Sequence, residues 1–247
     1  MVSMIFRCTK PITLNDILRS RRGRMAAGLR YLLFRRGPLA SGPVPGGGFL
    51  RTSPHVAAPD LQVNFAPYSV SRMERARTEL DAFPGFNAGV IDLRPEARGT
   101  VSIKSPDPYE APAIHCNFFR SDRDRRVMIS GLRMVRDIMK RPAMSAYIAE
   151  ELQPGRSCES DEDMVQFVRQ HGRTCMHPAG SCRMGSDELS VVDANLRVHG
   201  LARLRIVDGS IMPSLVSANP NATTVMIAEK GAEMILKGAR LDPALAS

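Results

Sequence analysis

The chain has 247 residues, of which 43% are hydrophobic and 24% are charged, as in an ordinary globular protein with room for a buried core. Its formal net charge is +9, but only 5% of its residues are aromatic and none is Trp, which argues against a stacking surface for nucleic acid. The five cysteines are irregularly spaced and form no C-x-x-C pair, so we expect reduced thiols and no metal site.

The N-terminal residues contain neither a long apolar run nor a small-residue cleavage site, so no secretory signal is predicted. The uncharged stretch 210–228 contains two Pro and two Asn, which makes a membrane span unfavourable. We therefore expect a cytoplasmic protein. Peripheral contact with the inner membrane is left open as an alternative.

Residues 1–50 are predicted to be a basic lead-in of helix and loop. Thr13 is followed by Asp16 three residues later, which is a capping-box pattern at a helix start. Apolar residues then recur at helical spacing among arginines: Ile17, Leu18, Met25, Leu29 and Leu33. We interpret this as an amphipathic surface helix with a solvated basic side, and a membrane-surface or partner helix is the alternative. The stretch 37–48 is rich in Gly and Pro and predicts a loop.

Residues 51–190 are predicted to form a separate domain in which strands precede helices. Alternation or turn boundaries predict strands at 61–66, 87–93 and 99–104. The stretch 122–140 predicts an amphipathic helix, and Ser160 with Asp163 predicts the start of another. This order favours an α+β fold, with an antiparallel sheet and helices packed on one face.

The candidate functional residues are concentrated in the stretch 174–230. His177 lies in the sequence TCMHPAGSCRMG, whose Pro and Gly residues predict an exposed turn. LRIVDG predicts a buried strand that ends at Asp208 and Gly209, and SANPN predicts a turn into a helix from about 223 to 237. We treat 191–240 as one segment and 241–247 as a tail.

These motifs resemble the C-terminal portion of the glucose-methanol-choline (GMC) family of flavin-dependent alcohol oxidoreductases, and within it the choline dehydrogenase branch. The resemblance continues through TLNDIL, RRGPLASGP, LRPEARGTVSIKSPDP and DRDRRVMISGLRMVRDI, and so covers about residues 11–238. The positions that match the family's histidine motif are His177, Pro178, Gly180, Cys182, Met184 and Gly185. The resemblance implies an FAD cofactor, a substrate domain over 51–190, and a segment 191–240 that completes the flavin domain.

The resemblance also implies roles for individual residues. His177 would be the catalytic acid/base and Asn219 would bind the substrate oxygen, while a hydride passes from a choline-like or aliphatic primary alcohol to the flavin N5 and an aldehyde forms. Asp208 and Gly209 would lie against the ribityl and pyrophosphate part of FAD. Pro220 and Asn221 would lead into a helix whose N-terminus points at the isoalloxazine ring. Taken without the resemblance, Asn219, Pro220 and Asn221 are explained about as well by a turn and helix cap, and a simple strand-turn is the alternative for Asp208 and Gly209.

The G-x-G-x-x-G motif that opens the family's N-terminal Rossmann-like FAD domain is absent from the sequence. We therefore expect the chain to correspond to the second half of such an enzyme, as a truncated gene product, a split subunit or the result of a misplaced start codon. The alternative to an FAD-dependent alcohol dehydrogenase is accordingly an inactive, flavin-free fragment. Such a fragment would act only with a partner flavin domain, in cis or in trans.

Overall fold

The computed structural model describes residues 1–74 and 77–241, which form two compact units. The first unit contains residues 1–92 and 121–173, and the second contains residues 93–120 and the chain from 174 onwards. This division differs from the predicted boundaries after residues 50, 190 and 240. Apart from residue 241, the predicted tail 241–247 lies outside the described residues.

The strands of the described chain are β1 (Val2–Cys8), β2 (Gly46–Leu50), β3 (Leu61–Ala66), β4 (Val70–Glu74), β5 (Arg77–Leu80), β6 (Gly85–Asp92), β7 (Thr100–Ser102), β8 (Ala113–His115) and β9 (Ile148–Gln153). The helices are α1 (Leu14–Arg19), α2 (Arg21–Phe34), α3 (Asp122–Met139), α4 (Pro142–Ser145), α5 (Asp161–His171) and α6 (Asn221–Leu241).

The first unit is built on a five-stranded antiparallel sheet in the order β2-β3-β6-β1-β9. In β1 the side chains of Val2, Met4, Phe6 and Cys8 are buried, and those between them are more exposed, as a strand with one covered face requires. The predicted lead-in over residues 1–50 is therefore wrong, because β1 lies inside the sheet and β2 forms one of its edges. β4 and β5 pair antiparallel in a separate two-stranded sheet.

α3 and α5 contact the sheet through β6, β3 and β1, so the predicted α+β architecture with helices on an antiparallel sheet is confirmed. The predicted apolar side of α3 is buried, at Met128, Leu132, Val135 and Met139. Both predicted capping boxes form: the Thr13 N–H donates to the Asp16 carboxylate at 3.0 Å and the Ser160 N–H donates to the Asp163 carboxylate at 3.0 Å. These caps are local contacts, which explains why the sequence predicts them.

α2 turns its apolar side away from the rest of the chain. Ala27 is its only buried residue among those described, whereas Met25 is 75% exposed, Leu29 58% and Leu33 63%. The interpretation of an amphipathic helix with only its basic side in solvent is therefore wrong. The periodicity correctly predicts helix, although it is divided into α1 and α2 at Ser20, and the apolar side chains of α2 are exposed together with its arginines. No helix within residues 1–74 and 77–241 combines the length and apolarity needed to cross a bilayer.

The second unit consists mostly of turns and isolated bridges, with one hairpin of β7 and β8 and the long helix α6. The strand predicted over 99–104 is shortened to β7 and belongs to this hairpin. The buried strand predicted before Asp208 is also wrong. Arg205 makes an isolated bridge with Arg197, and a single 3₁₀ turn follows at Gly209–Ile211 because the Asp208 carboxylate accepts the Ser210 N–H at 2.7 Å.

Candidate active site

The chain that follows His177 is fastened by backbone hydrogen bonds to residues 210 and 211. Cys182 N–H donates to the Ser210 carbonyl at 3.1 Å, and Met184 N–H donates to the Ile211 carbonyl at 2.8 Å. Gly180 has a φ of +87°, and a Cβ added there would lie 3.2 Å from the Met212 carbonyl oxygen. Glycine therefore suits this position, because a side chain would be both strained and crowded. The turn lies directly beside the segment that follows Asp208.

The Asp208–Gly209 turn lies against the first turn of α6. A Cβ added at Gly209 would be 3.4 Å from Thr224 Oγ1, which places the two residues in van der Waals reach. Further along α6, Gly231 approaches Val207 so closely that an added Cβ would stand 2.2 Å from its Cγ1. The structure therefore brings together the predicted flavin-contacting turn and the predicted flavin-facing helix.

Asn219 lies in the turn that leads into α6. The Pro220 carbonyl accepts both the Thr224 N–H at 2.8 Å and the Thr224 hydroxyl at 3.0 Å, so the helical hydrogen bonding begins directly after Asn219. Two residues earlier, Ser217 Oγ accepts a hydrogen bond from Arg94 Nε at 2.6 Å. Arg94 was missed in the sequence, since nothing in LRPEARG indicates a partner 123 residues away.

Both turns are anchored on one hydrophobic cluster. Its buried members are Val192, Leu196, Ile211, Met212 and Ile227. Ala179, two residues after His177, and Val216, three residues before Asn219, pack against this cluster. The His177 turn and the Asn219 turn therefore pack on the same hydrophobic cluster inside the second unit.

The His177 side chain is half-buried, and Asn219 and Asp208 are exposed. Within residues 1–74 and 77–241, neither the imidazole of His177 nor the carboxamide of Asn219 makes a hydrogen bond to another residue. Their polar atoms can therefore bind an added molecule. In the same described ranges, no group of three His, Cys, Asp or Glu residues is arranged to hold a metal ion.

A polar cluster of Arg183, Asp187 and Ser190 stabilises the loop that follows the histidine motif. The Arg183 guanidinium donates two hydrogen bonds to the Asp187 carboxylate, one of them at 2.8 Å, and Ser190 Oγ donates to the same carboxylate at 2.9 Å. The Arg183 hydrogen bond, followed by that of Ser190, holds the pKa of Asp187 well below its usual range. The carboxylate is therefore charged at neutral pH and fastens residues 183–190 into one loop.

The residues around Asp208 suit part of a flavin dinucleotide. An exposed carboxylate can accept hydrogen bonds from ribityl hydroxyls, and a glycine next to it permits close approach of a ligand to the backbone. The first-turn amides of α6 have no acceptor within the helix and carry partial positive charge, which favours an electron-rich group.

Several known proteins are similar to this chain in sequence or in structure. The family model for the C-terminal part of GMC oxidoreductases matches residues 95–228, which is more than half of the chain. The chain is 40% identical over 230 residues to the oxygen-dependent choline dehydrogenase of Pseudomonas savastanoi pv. phaseolicola, covering 93% of the chain and 40% of that protein. It is 38% identical over 239 residues to the Proteus mirabilis protein of the same name, covering 97% of the chain and 42% of that protein.

Among solved structures, the chain resembles a variant of formate oxidase from Aspergillus oryzae that was solved to study modification of its FAD. The TM-score is 0.82 and the identity 25%, and the likeness covers 97% of the chain and 46% of the oxidase. The chain thus spans less than half the length of the proteins it matches.

Proposed function

Since the chain belongs to the GMC oxidoreductase family, we propose that it is the substrate-binding and catalytic C-terminal part of an FAD-dependent dehydrogenase that oxidises a primary alcohol, choline-like or aliphatic, to an aldehyde. The observation that carries this proposal is that the His177 and Asn219 turns pack on the same hydrophobic cluster, beside Asp208 and Gly209. FAD is the cofactor of this family and, when bound, supplies the acceptor for the hydride. The other contributions come from residues of this chain.

His177 is the residue to which we assign the proton of the alcohol hydroxyl. An alcohol that loses a hydride from carbon must also lose the hydroxyl proton, and imidazole suits this transfer because its ordinary pKa lies near 6.5. The half-buried ring has no hydrogen-bond partner in the described residues, so its nitrogens are available to the substrate. The backbone hydrogen bonds of Cys182 and Met184 fasten the chain that follows this residue.

Asn219 is assigned to orienting the same hydroxyl. Its amide cannot titrate, but it offers two N–H donors and a carbonyl acceptor, so it can hold the oxygen without competing for the proton. Asp208, Gly209, Pro220 and Asn221 would hold the cofactor, with Asp208 as a hydrogen-bond acceptor. The first-turn amides of α6 favour negative charge that develops near the helix N-terminus.

A second candidate function, an inactive fragment that works only with a flavin-binding partner, is favoured by the outer side of α6. Four large apolar side chains on this helix are between 44% and 63% exposed: Val225, Met226, Ile235 and Leu236. The buried side carries Ile227 and Gly231, and the exposed apolar side chains share the outer surface of α6 with the ion pair of Lys230 and Glu233, so this surface is mixed rather than uniformly apolar. A flavin-binding domain, in cis or in trans, would cover the outer side.

The test is His177→Ala in an assembly of this chain with the N-terminal flavin-binding portion of a choline dehydrogenase relative. We expect kcat with an artificial electron acceptor to fall about 10²- to 10⁴-fold across an alcohol panel. His55→Ala, at an exposed position in the first unit, is the control and should retain full activity. Near-normal turnover of the His177 variant would end the proposal. Flavin absorbance in the purified chain alone would exclude the flavin-free alternative.

For location, we propose a cytoplasmic protein that contacts the surface of an anionic membrane through α2. Seven arginines lie between residues 19 and 36, and no Asp or Glu occurs from residue 17 to residue 59. They flank the outward apolar side of α2, and this combination of exposed apolar area and cations favours binding to anionic headgroups.

A further inference from the structure

We infer that Arg94 is a positioning residue for Asn219, acting through its hydrogen bond to Ser217. This inference rests on the proposed function, because it assigns Arg94 a role in alcohol oxidation through a residue that we place at the substrate. Arg94 and Ser217 both belong to the second unit.

The contact itself is short and comes from an anchored position. Arg94 Nε donates to Ser217 Oγ at 2.6 Å, although 123 residues separate them in the chain. A charged donor makes a stronger hydrogen bond than a neutral one, and the short distance agrees with that. Leu93, the residue before Arg94, is only 3% exposed, so the backbone from which the guanidinium extends is fixed. The hydrogen bond from Arg94 to Ser217 therefore restrains the turn before α6, and we call this contact the latch.

The turn at 213–219 has few other restraints. In the described chain these residues belong to no helix or strand, and none of them makes a backbone hydrogen bond. Pro213 and Pro220 restrict φ at its two ends, and Val216 packs on the hydrophobic cluster. Ser217 is the one residue of this turn whose side chain is hydrogen-bonded in the described structure, and Asn219 follows it by two positions.

Loss of this latch should change the direction of Asn219 rather than unfold the unit. The buried cluster and the backbone hydrogen bonds of Cys182 and Met184 do not depend on Arg94. When a reacting or orienting group is displaced by about 1 Å, the rate can fall by about 10²-fold. Because Val216 still restrains the turn, we expect Arg94→Met to lower kcat/KM by about 10-fold, mainly through kcat.

The variants separate the hydrogen bond from the charge and from general packing. Arg94→Met keeps the aliphatic stem but removes the donors, and Ser217→Ala removes the acceptor. Ser217→Thr retains a hydroxyl and should restore the wild-type behaviour. Lys104→Met removes another exposed cation of the same unit, whose contact is Glu110 at 3.4 Å, and should change nothing.

The first readout needs no flavin and no activity. Backbone ¹⁵N relaxation of the full chain should show order parameters at Ala218 and Asn219 falling below about 0.6 in Arg94→Met and Ser217→Ala, but not in Ser217→Thr or Lys104→Met. Unchanged order parameters in the first two variants would overturn the latch, whatever the chain does in catalysis.

The second readout is the kcat and KM of the flavin-loaded assembly, with the deuterium isotope effect on kcat for a deuterated alcohol. A mobile Asn219 together with a normal kcat/KM would overturn the positioning role. The double variant tests the pair: because the two residues share one hydrogen bond, Arg94→Met and Ser217→Ala should together cost no more than either alone. If His177→Ala also retained activity, the proposed function would fail separately, while the relaxation result would still decide the latch.

Discussion

Gly231→Ala is the substitution that most directly tests how α6 is seated beside the Asp208 turn. Gly231 is buried, and a Cβ added there would stand 2.2 Å from Val207 Cγ1, 3.1 Å from Cγ2 and 3.3 Å from Cβ. Val207 is β-branched, with few rotamers to choose from, so it cannot move its methyl groups away cheaply. Either α6 or the backbone at 206–208 must shift.

The expected loss of stability follows from two opposing effects. Forcing an extra methyl group into a packed contact costs about 1–3 kcal/mol. Replacing Gly by Ala inside a helix returns about 0.5–1 kcal/mol of helix propensity. We therefore expect the free energy of unfolding to fall by about 1 kcal/mol, within a range of about 0–2.5 kcal/mol, and the Asp208 turn to move with α6.

Urea unfolding of the full chain, followed by circular dichroism at 222 nm, measures this change. Gly28→Ala in α2 is the matched control, because nothing lies within 4 Å of the Cβ that it would add, and it should gain up to about 0.5–1 kcal/mol. Val207→Ala should offset part of the loss when combined with Gly231→Ala. A Gly231 variant as stable as the Gly28 variant would refute the close packing of α6 on Val207.

Two further predictions concern charge. The depressed pKa of Asp187 contributes stability that is present above its unfolded value of about 3.9 and is lost as pH falls through the lower folded value. Asp187→Asn should therefore lower Tm at pH 7 more than at pH 3, with Glu188→Gln as the neighbouring control; an equal change at both pH values would contradict the ion pair as the cause. On α2, the double variant Leu29→Asp with Leu33→Asp should abolish cosedimentation with phosphatidylglycerol vesicles. Phosphatidylcholine vesicles should bind neither form, and Leu189→Asp, at an 80% exposed position in the second unit, should bind as the wild type does.

The parts of the fold that could be predicted are those whose signal is local. α3 has an uninterrupted apolar period, and the capping boxes at Thr13 and Ser160 need only residues three apart. β2 could not be predicted, because its sequence GGGFL has loop composition and becomes a strand only by pairing with β3. β9 carries Glu150 and Glu151, and the second of these is accommodated by an ion pair with Arg136 at 2.6 Å from α3.

The candidate site shows the same limit. The motifs around His177 and Asn219 could be found because each is contiguous in sequence, and the resemblance to GMC enzymes supplies their roles. The apolar run before Asp208 predicts a strand, but the side chain of Asp208 bonds the Ser210 N–H and starts a 3₁₀ turn instead. Arg94 could not be predicted, since its partner is 123 residues distant and its own sequence context is a turn.

The two central residues of the site are restrained by different kinds of interaction, and this determines which substitutions should disturb them. The His177 turn is fastened through backbone groups of Cys182 and Met184, which any non-proline residue can supply. The Asn219 turn is held by the packing of Val216 and, within the described chain, by one side-chain hydrogen bond, from Arg94 to Ser217. Side-chain substitutions far away in sequence should therefore disturb the orientation of a substrate hydroxyl by Asn219 more readily than they disturb the position of the proton acceptor, His177. A selection for altered alcohol preference should accordingly recover changes at 94 and 217 sooner than changes at 182 and 184.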